Sequence, residues 1–201
     1  MFKHLLLSLV LVGVCSSSFA QIYRAGEPSH KETVPFPKLE LSVGAFGNTD
    51  RLKDGAGSSL VKGAYGLEGR ALVGVLPWLA IGAEGAFSQS RDNEPILNKY
   101  RFETFSAAAK LTLTPGALSR TYLLLGLGQA RYKVDYLRTA HSTADSNYLS
   151  LGVGAETDLT EHWFAGLELR TQYRFDTDVS PYFHLSHHWT AALSLRTGVQ
   201  F

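Results

Sequence analysis

A single cysteine, Cys15, leaves the chain with nothing to pair it to, so a disulfide-stapled scaffold is excluded. There is no apolar run long enough for a spanning helix. The longest, Leu5 to Val14, is half the required length, and charges or prolines interrupt all later ones. Neither sign of charge dominates: 19 Lys and Arg face 18 Asp and Glu, a net of +1. Nucleic acid is therefore not an expected partner. With 45% hydrophobic and 18% charged residues the chain is not of the disordered class. Its 201 residues suit one domain.

Three zones follow along the chain. Met1 to His4 is a short basic start, the apolar run comes next, and Ser18-Phe19-Ala20 places small residues where a signal peptidase reads. Residues 1–20 are expected to be a removed signal peptide. Loss of Lys3 then leaves the exported chain formally neutral. Residues 21–37 are polar, carry Pro28, Pro35 and Pro37, and lack any apolar period, the pattern of an extended periplasmic leader.

From residue 38 to 201 the apolar residues alternate. Leu39, Leu41, Val43 and Ala45 interleave with Glu40, Ser42 and Gly44; Ala71 and Val73 interleave with Arg70 and Gly74. Similar alternation recurs around 81–87, 107–113, 149–155, 167–169 and 191–199. Period two means strands with one apolar and one polar face. An eighth strand at 121–134 has an ambiguous facing because Leu123, Leu124 and Leu125 are consecutive.

Eight strands also suit a soluble sandwich, and three features favour a membrane barrel over it. Connections alternate between short (76–78, around Pro115-Gly116, 158–162) and long (47–62, 89–99, 135–147, 176–187). Aromatics gather at strand ends, with Trp78, Tyr122, Trp163 and Phe201 at the short-turn side. Phe46, Tyr65, Phe87, Phe102, Tyr132, Tyr148, Tyr173 and Trp189 gather at the other, and such rings prefer membrane interfaces. The apolar faces carry almost no charge, whereas the opposite faces carry many charges among Gly, Ala and Ser. The expected fold is an all-β, eight-stranded antiparallel up-and-down transmembrane barrel.

The turn Val75-Leu76-Pro77-Trp78-Leu79, the strand Tyr122-Leu123-Leu124-Leu125-Gly126-Leu127-Gly128 and the last strand ending in Phe201 resemble the small outer-membrane barrels of the OmpA transmembrane domain and OmpX/Ail type. The resemblance implies a bacterial outer-membrane location. It also implies that Trp189, Leu193, Leu195, Val199 and Phe201 form the signal read by the barrel assembly machinery. The likeness is to barrel-only members, so no cell-wall tether is expected.

Polar positions taken as inward set Glu40, Glu68, Glu84, Glu156 and Glu168 against Arg70, Lys110, Arg170 and Arg196. If 76–78 form a three-residue turn, Arg70 falls opposite Glu84 and Leu72 opposite Gly82. An eight-stranded barrel is just wide enough for side chains, so these charges are expected to form a packed plug. An ion pathway lined by the same charges is the alternative.

Catalysis has one candidate. His184 and Ser186 share a strand face, as a base and nucleophile require. This is similar to the His-x-Ser element of the lipid A deacylase PagL. That family also uses a downstream acidic residue, and none follows Ser186. His184, His187 and His188 would need a bend to gather round a metal. The expectation is a non-catalytic monomer without cofactors, playing a structural or surface-interaction role. Its expected partners are outer-membrane lipid, lipopolysaccharide and a loop ligand; a lipid-modifying enzyme or a narrow channel is the alternative. The barrel reading is tested by electrophoresis. A membrane-extracted chain should migrate differently folded and boiled, whereas buffer solubility without a shift would favour the sandwich.

Overall fold

The computed structural model describes residues 38–54, 59–91, 97–136, 140–175, 177–180, 183–185 and 188–201, so the signal peptide and leader lie outside the described residues. The strands are β1 (Leu39–Asp54), β2 (Ser59–Leu76), β3 (Leu79–Arg91), β4 (Leu97–Thr112), β5 (Ser119–Tyr136), β6 (Ala140–Asp158), β7 (Trp163–Arg174), β8 (Thr177–Ser180), β9 (Phe183–Leu185) and β10 (His188–Gln200). Sequential antiparallel pairing of β1 to β7 continues to β10, which pairs back to β1 and closes an eight-stranded barrel. The short hairpin β8–β9 sits outside that ring and reaches β1 at Lys53 and Asp54. No helix among the described residues is long and apolar enough to cross a membrane; the strands do the crossing.

The register fixes the size of the barrel. A ladder begun at Leu39 passes through Val73, Ile81, Ala109, Leu125, Leu151, Thr171 and Ala191, then re-enters β1 at Thr49. A stagger of that size tilts the strands by about 40° from the barrel axis. From Trp189 to Phe201, β10 then climbs roughly 30 Å, the thickness of a bilayer's hydrocarbon core.

Because the eight ladders of the ring join even to even residues, apart from the end pairs Leu76–Leu79 and Leu97–Tyr136 where the register shifts, one face of the wall is even-numbered. All buried apolar, polar and charged side chains among the described residues are even. The large exposed apolar side chains are odd, except Leu76, Trp78 and Leu118 at the turns. Lipid takes the place of a core on the outside, and the lumen holds the polar groups. This settles β5: Tyr122, Leu124, Tyr132 and Val134 point inward, while Leu125 and Leu127 point to lipid.

Several expectations are corrected by that parity. Tyr122 is not in the aromatic girdle, being 1% exposed inside the lumen, and Phe46, Phe102, Tyr132 and Tyr148 are inward as well. The girdles consist of outward rings: Trp78, Trp163 and Phe201 at one end, and Tyr65, Phe87, Phe105 and Trp189 at the other. Leu193 and Leu195 lie between them on the same outward face of β10. The β2–β3 turn is tighter than expected, with Leu76 paired to Leu79 and the register shifting after Gly74. Arg70 still faces Glu84, and Leu72 faces Gly82. In the β4–β5 turn, Gly116 adopts φ 82°, a left-handed conformation that favours glycine.

The long polar loops are the larger correction. β1 and β2 stay paired up to Lys53 and Ser59, β3 and β4 up to Arg91 and Lys99, and β5 and β6 up to Tyr136 and Ala140. Beyond the membrane the outward face meets water, so alternation ends there while backbone pairing continues. Outward ion pairs mark this zone: Arg131 Nε to Asp145 at 2.9 Å and Lys133 Nζ to Glu103 at 2.7 Å. The side-chain hydrogen bond from Arg131 holds the Asp145 carboxyl below its ordinary pKa. Hydrogen exchange tests the extension: amides of 131–136 and 140–145 should be protected, and free exchange across both stretches would indicate open loops instead.

Candidate functional site: the charged lumen

The lumen is filled in three tiers. Nearest the short turns, Lys110 Nζ donates to Glu40 and Glu156, both at 2.7 Å. Arg120 pairs with Asp158 at 2.6 Å and Glu156 at 3.2 Å, and donates to Gln200 at 3.0 Å. The Lys110 ammonium also lies 4.7 Å from the Tyr122 ring centroid, a cation–π contact. Above it Leu72, Ala108, Tyr122 and Leu124 form a small apolar collar.

At mid-height three arginines meet three glutamates. Arg70 donates to Glu84 at 2.8 Å and to Glu168 at 2.9 Å. Arg170 donates to Glu84 at 2.5 Å, contacts Glu168, and lies 3.4 Å from Glu68. Arg196 Nε donates to Glu68 at 3.0 Å. Tyr122 adds its hydroxyl to Glu168 at 2.8 Å. All six charged side chains are at most 5% exposed. Burial of such charges is tolerable only with full pairing and good geometry.

Small neighbours make the pairing sterically feasible. Arg196 sits between Gly44 and Gly166, Arg170 between Gly152 and Ala192, and Glu168 between Gly154 and Ser194. A Cβ on Gly44 would lie 3.0 Å from Glu68 Oε1 and 3.1 Å from Arg196 Cγ, so glycine there lets the two ions meet across β1. On Gly154 a side chain would collide with the Tyr122 ring.

Towards the opposite mouth, the Arg174 guanidinium lies over the Phe102 ring at 4.0 Å, with Tyr132 beside it. A void of about 10 Å³ lies between these tiers, lined by residues that include Asn48, Glu68, Arg170 and Ser194. That volume holds at most a single water.

All nine charges expected inside the lumen fall on its lining, and each takes part in an ion pair. Arg120, Asp158 and Arg174 were not among them, since they sit at strand ends where the apolar alternation fades. Counting parity outward from Tyr122, Glu156 and Arg170 finds all three. Of the catalytic candidate, Ser186 and His187 lie outside the described residues; His184 is described through its backbone pairing with Lys53 and Asp178. Among the described residues no group of three or more His, Cys, Asp or Glu is placed to hold a metal.

A family model described as "Outer membrane protein beta-barrel domain" matches residues 6–197. Solved structures add a likeness of fold. Neisserial surface protein A (NspA) superposes with TM-score 0.56 at 16% identity, over 80% of this chain and 97% of its own. OprG from Pseudomonas aeruginosa gives 0.55 at 12%, over 82% and 96%. Ail, the attachment invasion locus protein of Yersinia pestis, in complex with the heparin analogue sucrose octasulfate, gives 0.54 at 14%, over 82% and 99%. No curated protein sequence matches.

Charge balance in the middle tier sets a mutational expectation. Arg70→Ala leaves three carboxylates against two guanidinium groups and should cost about 3–5 kcal/mol. Arg70→Ala with Glu84→Ala restores the balance and should cost less than the single change. Urea unfolding in lipid vesicles measures both; equal losses would mean that the ions do not act as a unit.

Proposed function

Because the chain belongs to the outer membrane protein beta-barrel domain family, we propose that it is a sealed, non-catalytic outer-membrane barrel. Its role is structural or one of surface interaction, carried by the strand ends beyond the outer girdle. The observation that supports this most directly is the middle tier. Three arginines and three glutamates share direct contacts across the lumen, leaving no charge there for an ion in transit.

Export by a cleavable signal peptide, insertion as a monomer through the barrel assembly machinery, and contact with phospholipid and lipopolysaccharide complete the proposal. Outward polar residues such as Arg131, Lys133, Glu103 and Asp145 pair with one another. That arrangement suits a hydrated collar in the headgroup layer better than a dedicated anion site.

Two measurements separate this reading from its rivals. Purified barrel in a planar bilayer should add no stepwise conductance, whereas regular ion-selective steps would make the lumen a channel. Lipid A from deletion and complemented strains should have the same mass spectrum; a lost or gained acyl chain would make the protein an enzyme. A deletion strain should instead lose envelope integrity or surface attachment.

A further inference from the structure

The lipid-facing wall carries a groove of about 570 Å³, lined by small outward residues and backed by the strand segments that carry Ser42, Arg70, Glu84 and Gly198 on their lumenal side. It begins beside Trp163 in the short-turn girdle, crosses β10 and β1, and runs over Gly69, Ala71, Ala83 and Gly85 to Phe105 in the opposite girdle. Its course follows neighbouring rungs of the hydrogen-bond ladder, where Gly69 faces Gly85 and Ala71 faces Ala83. Six strands are crossed, so the groove is roughly 24 Å long and lies about 50° from the membrane normal. The groove therefore runs obliquely through the hydrocarbon layer between the two girdles.

Two of its three glycines, Gly69 and Gly85, are not needed by the barrel, whereas a Cβ on Gly198 would collide with Phe164. A Cβ on Gly85 would meet nothing closer than 3.6 Å, and on Gly69 nothing closer than 4.0 Å. The lumenal Gly44, by contrast, is enclosed by Leu195, Glu68 and Arg196. Elsewhere the same wall fills its middle with leucines such as Leu125, Leu151, Leu167 and Leu193. The hollow thus comes from residue choices that internal packing does not impose.

What fills it must be apolar, slender and roughly 24 Å long. A second copy is a poor fit. Two-fold association brings the same patch on each partner together, and hollow against hollow leaves a void with lost dispersion contacts. A hydrocarbon chain meets all three requirements. We propose that this groove seats one acyl chain of an outer-membrane lipid as a retained ligand, distinct from the freely exchanging lipid around the rest of the wall.

The test uses the full chain in phosphatidylethanolamine–phosphatidylglycerol vesicles with a trace of phosphatidylglycerol spin-labelled on its acyl chain. The wild-type barrel should show a slowly exchanging, motionally restricted component in addition to the ordinary boundary lipid. Gly69→Leu with Gly85→Leu should lose that component, while Ala155→Leu on the far side of the wall should keep it. Heat-modified migration verifies that each variant is folded. Absence of the slow component in wild type, or its survival in the filled groove, would overturn the proposal. Efficient disulfide dimer formation by Ala83→Cys in a Cys15→Ser background would also overturn it, assigning the groove to a second copy.

Discussion

An eight-stranded barrel encloses too little space for bulk water and too much polar backbone to be left empty, and this constraint organises the molecule. Side chains must fill the lumen, and they must come from the wall face that lipid rejects. Polar residues on that face become buried charges, so they must be matched in number and position. Glu68, Glu84 and Glu168 against Arg70, Arg170 and Arg196 is the result. The glycines, alanines and serines between them follow from the same constraint: a long ionic side chain needs a small neighbour on at least one adjoining strand.

The plug links parts of the wall that are remote in sequence. Arg196 reaches Glu68 across 128 residues and Arg70 reaches Glu168 across 98. The outer surface adds no comparable cross-barrel contact, since lipid chains solvate its leucines equally well on any strand. Specificity of closure therefore rests on backbone register and on the lumen. The tiers divide the work, with Lys110 and Arg120 tying the short-turn end, the six-ion cluster closing the middle, and Arg174 stacked on aromatic rings towards the other mouth.

Much of this was legible in the chain. Alternation in seven segments between 38 and 201 identified the wall, and the polar set of each identified ions of the plug, with Arg70 facing Glu84 although the turn between them is tighter than the one assumed. Legibility failed where one of the two solvents changed. Past the outer girdle both faces are polar, so the continuations of β5 and β6 look like loops although their backbones stay paired. Aromatics failed for another reason. Near a strand end an inward Tyr122 and an outward Trp163 are equally compatible with a girdle, and only the parity of the register separates them.

By itself, then, the sequence determined fold class, wall and inventory of buried charge, because the demand that lipid meet apolar side chains applies locally, residue by residue, with period two. Only the tertiary structure decided which ions meet, how far the strands outrun the membrane, and where the outer wall is hollow. Those properties depend on stagger around a closed ring. Its value is the sum of eight pairings, and no single segment carries it.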